Sequence, residues 1–216
     1  MNAGAVFDLD GTLIRGTSAE RLLVPYLARR GLVGWRQVGA ALALAATLPV
    51  VGRTRALRRN KRYLAGVEVA AVRACIGEFL VGVLEKRWCS QVVARMASLR
   101  EAGFEVHLVT GAPDFIAEEV AARFHMDSAV STPMEVRADR FTGRLAGTHA
   151  FADAKRDAVW ALAGQRDLDL THSYGFANHR SDVPFLECFG RPVAVAPDKA
   201  LRREARRRGW EVMECE

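Results

Sequence analysis

The pattern of apolar and polar positions divides the chain into two regimes. Near the start, Ala5, Val6 and Phe7 form an unbroken apolar run that stops on Asp8, with Asp10, Gly11 and Thr12 close behind. So short a run, closed by turn residues, predicts a buried strand over Ala3–Phe7. From Thr17 to about Arg100 the period is helical. Leu22, Leu23, Tyr26 and Leu27 recur on one helix face, and Gly31 and Gly34 punctuate its end. Val38–Leu48 is rich in Ala and Leu and favours helix by propensity. Thr54–Leu64 predicts another helix, and Val69–Trp88 one or two more.

The pattern changes after Gly103. "FEVHLVT" predicts a strand ending on Thr110 with Gly111 next, and Pro113 opens a helix that runs through Phe124. "SAVSTPMEVRADRFTGRLAG" reads as a short strand followed by a hairpin. Then come a helix over Asp153–Ala163, the strand "THSYGFA", a helix over Ser181–Cys188, the strand "PVAVA", a helix over Asp198–Arg208 and the strand "WEVME". Alternating strands and helices predict an α/β fold with a parallel sheet covered by helices on both faces. The first strand belongs to that sheet, so the helical block from about Thr17 to Arg87 reads as an insertion.

Ligands of open parallel sheets bind beyond the carboxyl ends of the strands. Asp8 and Asp10, Thr110, and Asn178 with Asp182 all fall at such ends, and Lys155 begins a helix between the last two. Two neighbouring carboxylates oppose each other's ionisation unless a cation joins them. Hard oxygen donors suggest Mg²⁺.

Composition and charge narrow the setting. The chain has 216 residues, 50% apolar and 26% charged, ordinary for a globular protein with a real core. No apolar run reaches the ~18–20 residues of a spanning helix. The longest, Val38–Val51, contains Pro49, and no secretory leader pattern opens the chain. The four cysteines, Cys75, Cys89, Cys188 and Cys215, are scattered, which suggests reduced thiols in a cytoplasmic protein. The net charge of +6 is unevenly spread. Arg21–Val67 holds ten basic residues and no acid, leaving −4 elsewhere. This stretch, 21–67, reads either as a solvated face or as a docking face for something anionic. Its apolar segment at Val38–Val51, flanked by Trp35 and basic residues, is either the core of a helical bundle or an interfacial helix at the inner surface of the membrane. Nucleic-acid binding is not expected, because aromatic residues are not interleaved with the basic ones.

Four motifs occur in order: "DLDGT" (Asp8 to Thr12), "VHLVTG" with Thr110, "ADAKRDAV" with Lys155, and "GFANHRSDVPFLE" with Asn178 and Asp182. Together they resemble the haloacid-dehalogenase-like superfamily of phosphatases, in its phosphoserine-phosphatase-like branch. The resemblance implies a Rossmann-like doubly wound core over 1–16 and 88–216, with an all-helical cap over 17–87. It also implies hydrolysis of a small phosphate monoester. Asp8 would be the nucleophile that becomes an aspartyl-phosphate, and Asp10 the general acid and base. Thr110 and Lys155 would hold the phosphoryl group, with Gly11, Thr12 and Gly111 lining its site. Mg²⁺ would be held by Asp8, the Asp10 carbonyl, Asn178 and Asp182. His179, beside that last motif, is a candidate substrate-facing or supporting residue.

Two positions depart from the family pattern. Asn178 stands where an aspartate is usual. It can serve as a neutral ligand, mark a degenerate site, or be an altered residue. Thr17 stands where phosphoserine-specific members carry a glutamate, and Glu20 lies nearly one helical turn further on. An anionic substrate therefore fits the basic cap better than phosphoserine itself. Two functions stay open: a Mg²⁺-dependent phosphatase, or a degenerate relative that binds a phosphorylated ligand or an anionic membrane without efficient turnover.

Overall fold

A computed structural model describes residues 2–37, 39, 61–147 and 152–216. In chain order, β1 (Gly4–Phe7) leads to α1 (Ala19–Arg29). Next comes α2 (Val69–Phe79), which loosens into a π-helical turn at Leu80–Leu84 and a 3-10 turn at Glu85–Arg87. After α3 (Ser90–Glu101) come β2 (Glu105–Pro113), α4 (Asp114–Arg123) and β3 (Ser128–Thr132). A hairpin of β4 (Met134–Arg137) and β5 (Arg140–Leu145) precedes α5 (Asp153–Arg166) and β6 (Tyr174–Ala177). The chain closes with α6 (Val183–Leu186), β7 (Arg191–Val195), α7 (Lys199–Arg208) and β8 (Glu211–Met213).

Six strands form one sheet in the order β3-β2-β1-β6-β7-β8, with every pairing parallel. The chain runs outward from β1 to β3, then returns to β6 and continues the other way. The strand order therefore reverses between β1 and β6, and a crevice opens at their carboxyl ends. Side chains alternate across β1. Ala5 and Phe7 join the core on one face, with Phe79, Ile116 and Phe176, while Val6 joins Phe185, Leu186 and Leu201 on the other. Phe7 stacks on Phe176 at 4.4 Å between ring centroids, which locks β1 to β6 immediately before Asp8.

The expected elements form, with local differences. Ser18 caps α1 through its side chain, and Gly31 follows the helix at φ +72°. β2 does not stop at Thr110. A register shift after Val109 carries pairing on to Pro113, opposite Thr132. The β4–β5 turn places Ala138 and Asp139 both at positive φ, the geometry of a tight hairpin turn, without the glycine or asparagine such turns favour. Of the helix expected over Thr54–Leu64, only the end is described, and Arg62–Leu64 form a single 3-10 turn. Val38–Val51 lies outside the described residues apart from Gly39, so its bundle or interfacial role is untouched. Among the described residues, no helix is long and apolar enough to cross a membrane.

The return from the helical block is stitched to the hairpin. Gly66 N–H donates to the Phe141 carbonyl (2.8 Å), Phe141 N–H to Val67 (2.9 Å) and Val69 N–H to Asp139 (3.0 Å). Arg140 adds a guanidinium bond to the Gly66 carbonyl (2.8 Å). At the other seam, Arg15 N–H donates to Arg87 and Cys89 N–H to Leu13.

The expectation of four reduced thiols needs correction. Cys75 and Cys188 are free, but Cys89 and Cys215 form a disulfide with Cα atoms 5.6 Å apart. α3 lies close enough to β8 for Arg95 to pair with Glu211 at 3.0 Å, and that packing brings the chain end back to Cys89. A separation of 126 residues hides this pairing from spacing arguments. A cross-link over so long a loop restricts the unfolded chain. Reduction, or Cys215→Ser, is expected to lower unfolding free energy by about 2–5 kcal/mol, read from urea midpoints with and without reductant. Thiol counts in denaturant should give two reactive thiols before reduction and four after.

His107 on β2 is fully buried, with Nδ1 2.9 Å from the Ser128 hydroxyl and Nε2 without a hydrogen bond. Burial lowers its pKa, although Glu105 and Asp127 oppose the shift. An unfolded His gains its proton near pH 6.5, whereas the folded one resists it. The neutral ring's contribution is therefore present above that pH and lost as pH falls below it. His107→Gln is expected to lose less stability than the parent between pH 7.5 and 5.5. Urea melts of both proteins check this, because contributions common to both cancel in the difference.

Candidate active site

β1 continues past Phe7 when Asp8 N–H donates to the Phe176 carbonyl at 2.9 Å. The Asp8 carboxylate thus sits at the head of the crevice between β1 and β6, buried. Its Oδ1 lies 2.7 Å from the Lys155 ammonium, and its Oδ2 accepts from the Thr12 hydroxyl at 3.2 Å. Lys155 projects from the first turn of α5, also buried, and reaches Asp182 Oδ1 at 3.2 Å. The Phe185 ring lies 4.6 Å from the ammonium. Asp182 ends the 3-10 turn Arg180–Asp182 that follows β6.

Gly11 turns the chain back at φ +82°, and its N–H donates to the Ile14 carbonyl at 2.8 Å. A Cβ here would come within 2.1 Å of the Asn178 amide, so Asn178 packs directly over the glycine backbone. Only glycine provides both the positive φ and the space. Just before this turn the Asp10 Oδ1 accepts the Ala19 N–H, 2.8 Å away, at the start of α1. Thr110 is buried on β2, with its hydroxyl oxygen accepting the Ala112 N–H at 3.1 Å. The Gly111 carbonyl accepts from Thr132 at 3.1 Å.

The electrostatics follow from burial and charge count. Burial pushes the Asp8 carboxyl pKa up, Lys155 opposes this, and Asp182 adds to the rise. Burial alone would favour neutral Lys155, but Asp182 and Asp8 outweigh it and hold the ammonium charged. Asp10 is pushed up to about 7, first by desolvation and further by Asp8 and Glu20, against the Ala19 N–H and Lys61. Two buried carboxylates therefore share one lysine, which leaves a negative surplus lined by hard oxygen atoms. The chemistry of these two carboxylates, hard oxygen donors with one charge left uncompensated, suits a small divalent cation.

The sequence-derived residues thus separate into groups. Asp8, Thr12, Lys155 and Asp182 are in direct contact. Asn178 lies over Gly11, while Thr110 and Gly111 stand on the neighbouring strand. His179 is exposed, with Nδ1 2.8 Å from the Ser181 hydroxyl and Nε2 3.4 Å from Asp198, so its ring is engaged outside the Asp8–Lys155–Asp182 contacts.

Residues 5–187 match the haloacid dehalogenase-like hydrolase family. The chain belongs to that family. It is 32% identical to phosphoserine phosphatase SerB1 of Mycobacterium tuberculosis over 98% of this chain and 70% of that protein. It is 28% identical to the histidinol-phosphatase of Neisseria meningitidis over 97% of each. A Bordetella pertussis protein of unknown function superposes with a TM-score of 0.82 at 28% identity, covering 99% of this chain and 98% of that one. The parallel six-stranded sheet flanked by helices is the Rossmann-like architecture expected of the family.

Sequence reasoning passed over one cluster beside the site. Lys61 and Tyr63 both bind the Glu20 carboxylate next to Asp10. The signal available was the acid-free stretch itself, since Glu20 is the acid that immediately precedes it.

Gly11→Ala is expected to force Asn178 aside and strain the turn, at a cost of about 1–3 kcal/mol. A phosphatase assay should show at least a tenfold loss, and thermal melts a matching drop in stability.

Proposed function

We propose that this protein is a Mg²⁺-dependent phosphatase that hydrolyses a small phosphate monoester through an aspartyl-phosphate on Asp8. Asp10 serves as general acid and base, and residues 17–87 form the cap over the site. The observation that carries this reading is the Asp8 carboxylate, buried at a strand end between the Lys155 ammonium at 2.7 Å and the Thr12 hydroxyl at 3.2 Å.

Asp8 attacks the phosphorus, and the ester P–O bond breaks as the carboxylate–phosphorus bond forms. Asp10, with a pKa of about 7, is partly protonated near neutrality and gives its proton to the departing alkoxide. The same carboxylate then takes a proton from water as the water attacks the phosphorus, which releases inorganic phosphate and restores Asp8. Lys155 and the Thr110 hydroxyl hold phosphoryl oxygens and offset their charge. Asp8, the Asp10 carbonyl, Asn178 and Asp182 would hold Mg²⁺, which supplies Lewis-acid neutralisation of the phosphoryl oxygens.

The second reading, a ligand-binding relative with little turnover, rests on Asn178. Its neutral amide brings no charge to the metal position.

Phosphate release from an aryl phosphate, with Mg²⁺ or EDTA, tests both readings. The parent should require Mg²⁺, and Asp8→Asn should lose activity on the order of 1000-fold or more. Asn178→Asp should reach half-maximal rate at lower Mg²⁺. An inactive parent beside an active Asn178→Asp supports the binding reading, and full activity in Asp8→Asn overturns the mechanism.

A further inference from the structure

Beside Asp10 lies a polar cluster that the Asp8 chemistry does not use. Lys61 is 1% exposed, about as buried as any core residue, and its ammonium pairs with Glu20 Oε2. Tyr63, also buried, donates its hydroxyl to Glu20 Oε1 at 2.7 Å. Burial, together with the Glu20 charge, raises the Tyr63 pKa well above normal, so the phenol stays a donor. Glu20 follows Ala19, the residue whose N–H binds the Asp10 carboxylate at 2.8 Å. The cluster therefore adjoins the side of the site where Asp10 meets the leaving oxygen. The charge of Lys61 is close enough to lower the Asp10 pKa.

A lysine ammonium carries three donors. Among the described residues, Lys61 has one partner, Glu20. Burying an ammonium with donors unspent is costly, so such a site favours an added acceptor. Both Glu20 oxygens already accept from Lys61 and Tyr63. A cationic leaving group would compete with Lys61 for Glu20 and face its like charge in a desolvated setting. An anionic one would meet the spare donors directly. No acid from Arg21 to Val67 opposes it.

We propose that Lys61, seated by Glu20 and Tyr63, is a specificity-determining residue that receives an anionic group, carboxylate or phosphate, carried by the leaving alcohol of the phosphomonoester. This rests on the phosphatase reading above.

The test compares kcat/KM across leaving-group charge, with Mg²⁺ present. 2-Phosphoglycerate and 3-phosphoglycerate carry a carboxylate and no amine at the leaving side, glycerol phosphate is neutral there, and phosphoethanolamine and histidinol phosphate are cationic there. The parent should prefer the carboxylate-bearing esters over the neutral one by at least about tenfold. Lys61→Met should erase that ratio mainly through KM, and Lys61→Arg should retain most of it. A Lys61 that only braces the fold would change all esters alike and leave the ratio standing, which overturns the proposal. A parent that prefers cationic esters overturns it as well. If Lys61→Met fails to fold, Lys61→Gln and Glu20→Gln provide the same ratio. An aryl phosphate run in parallel separates the two failures. No turnover of it by the parent removes the phosphatase reading, whereas turnover without charge preference removes only the role of Lys61.

Discussion

Two carboxylates, Asp8 and Asp182, meet in a desolvated crevice, and one ammonium, Lys155, lies between them. Buried charge is tolerated only when it is paired, so the positions of β1, of the turn after β6 and of the first turn of α5 are tied to one another. Removing the lysine would leave two like charges with nothing between them. Removing either acid would leave the lysine over the Phe185 ring with half its compensation. The arrangement is a poor investment in stability, since an apolar substitute would pack there without desolvation cost. It stands at the strand-order reversal, where open parallel sheets bind their ligands.

The sheet fixes where that centre stands. β1 is the central strand, buried on both faces and flanked by parallel neighbours whose register is continuous through Phe7. Phe7 and Phe176 stack nearly parallel immediately below Asp8. The nucleophile candidate stands at the end of a fully buried strand, whereas Asp10, two residues on, is held by the start of α1. The two carboxylates thus have different partners, the Lys155 ammonium for Asp8 and the Ala19 N–H for Asp10.

Much of this was legible in the sequence. The short apolar run before "DLDGT", the later alternation of strand and helix, and the motif order led to the parallel sheet and to the site at its carboxyl edge. Local signals were strong there because buried strands and tight turns restrict residue type. What escaped was nonlocal. The Cys89–Cys215 pairing and the Glu20–Lys61–Tyr63 cluster join residues 126 and 41–43 positions apart, and nothing in spacing encodes such meetings. The direction of the Asp10 side chain escaped for the same reason, since its partner is a backbone amide nine residues on. The extension of β2 beyond Thr110 depended on a register shift, a property of the pair of strands and not of either alone.

The stitching of residues 66–69 to the β5 hairpin couples two parts of the chain that the main sheet does not join. Three backbone bonds and the Arg140 guanidinium tie the end of the helical insertion to a two-stranded unit that is itself outside the main sheet. The described ends of the insertion are thus bonded at two places, to the hairpin through residues 66–69 and to the start of the chain where Arg15 meets Arg87 and Leu13 meets Cys89. A substitution at Arg140 would therefore be felt in the return from the helical insertion as much as in the hairpin that carries it.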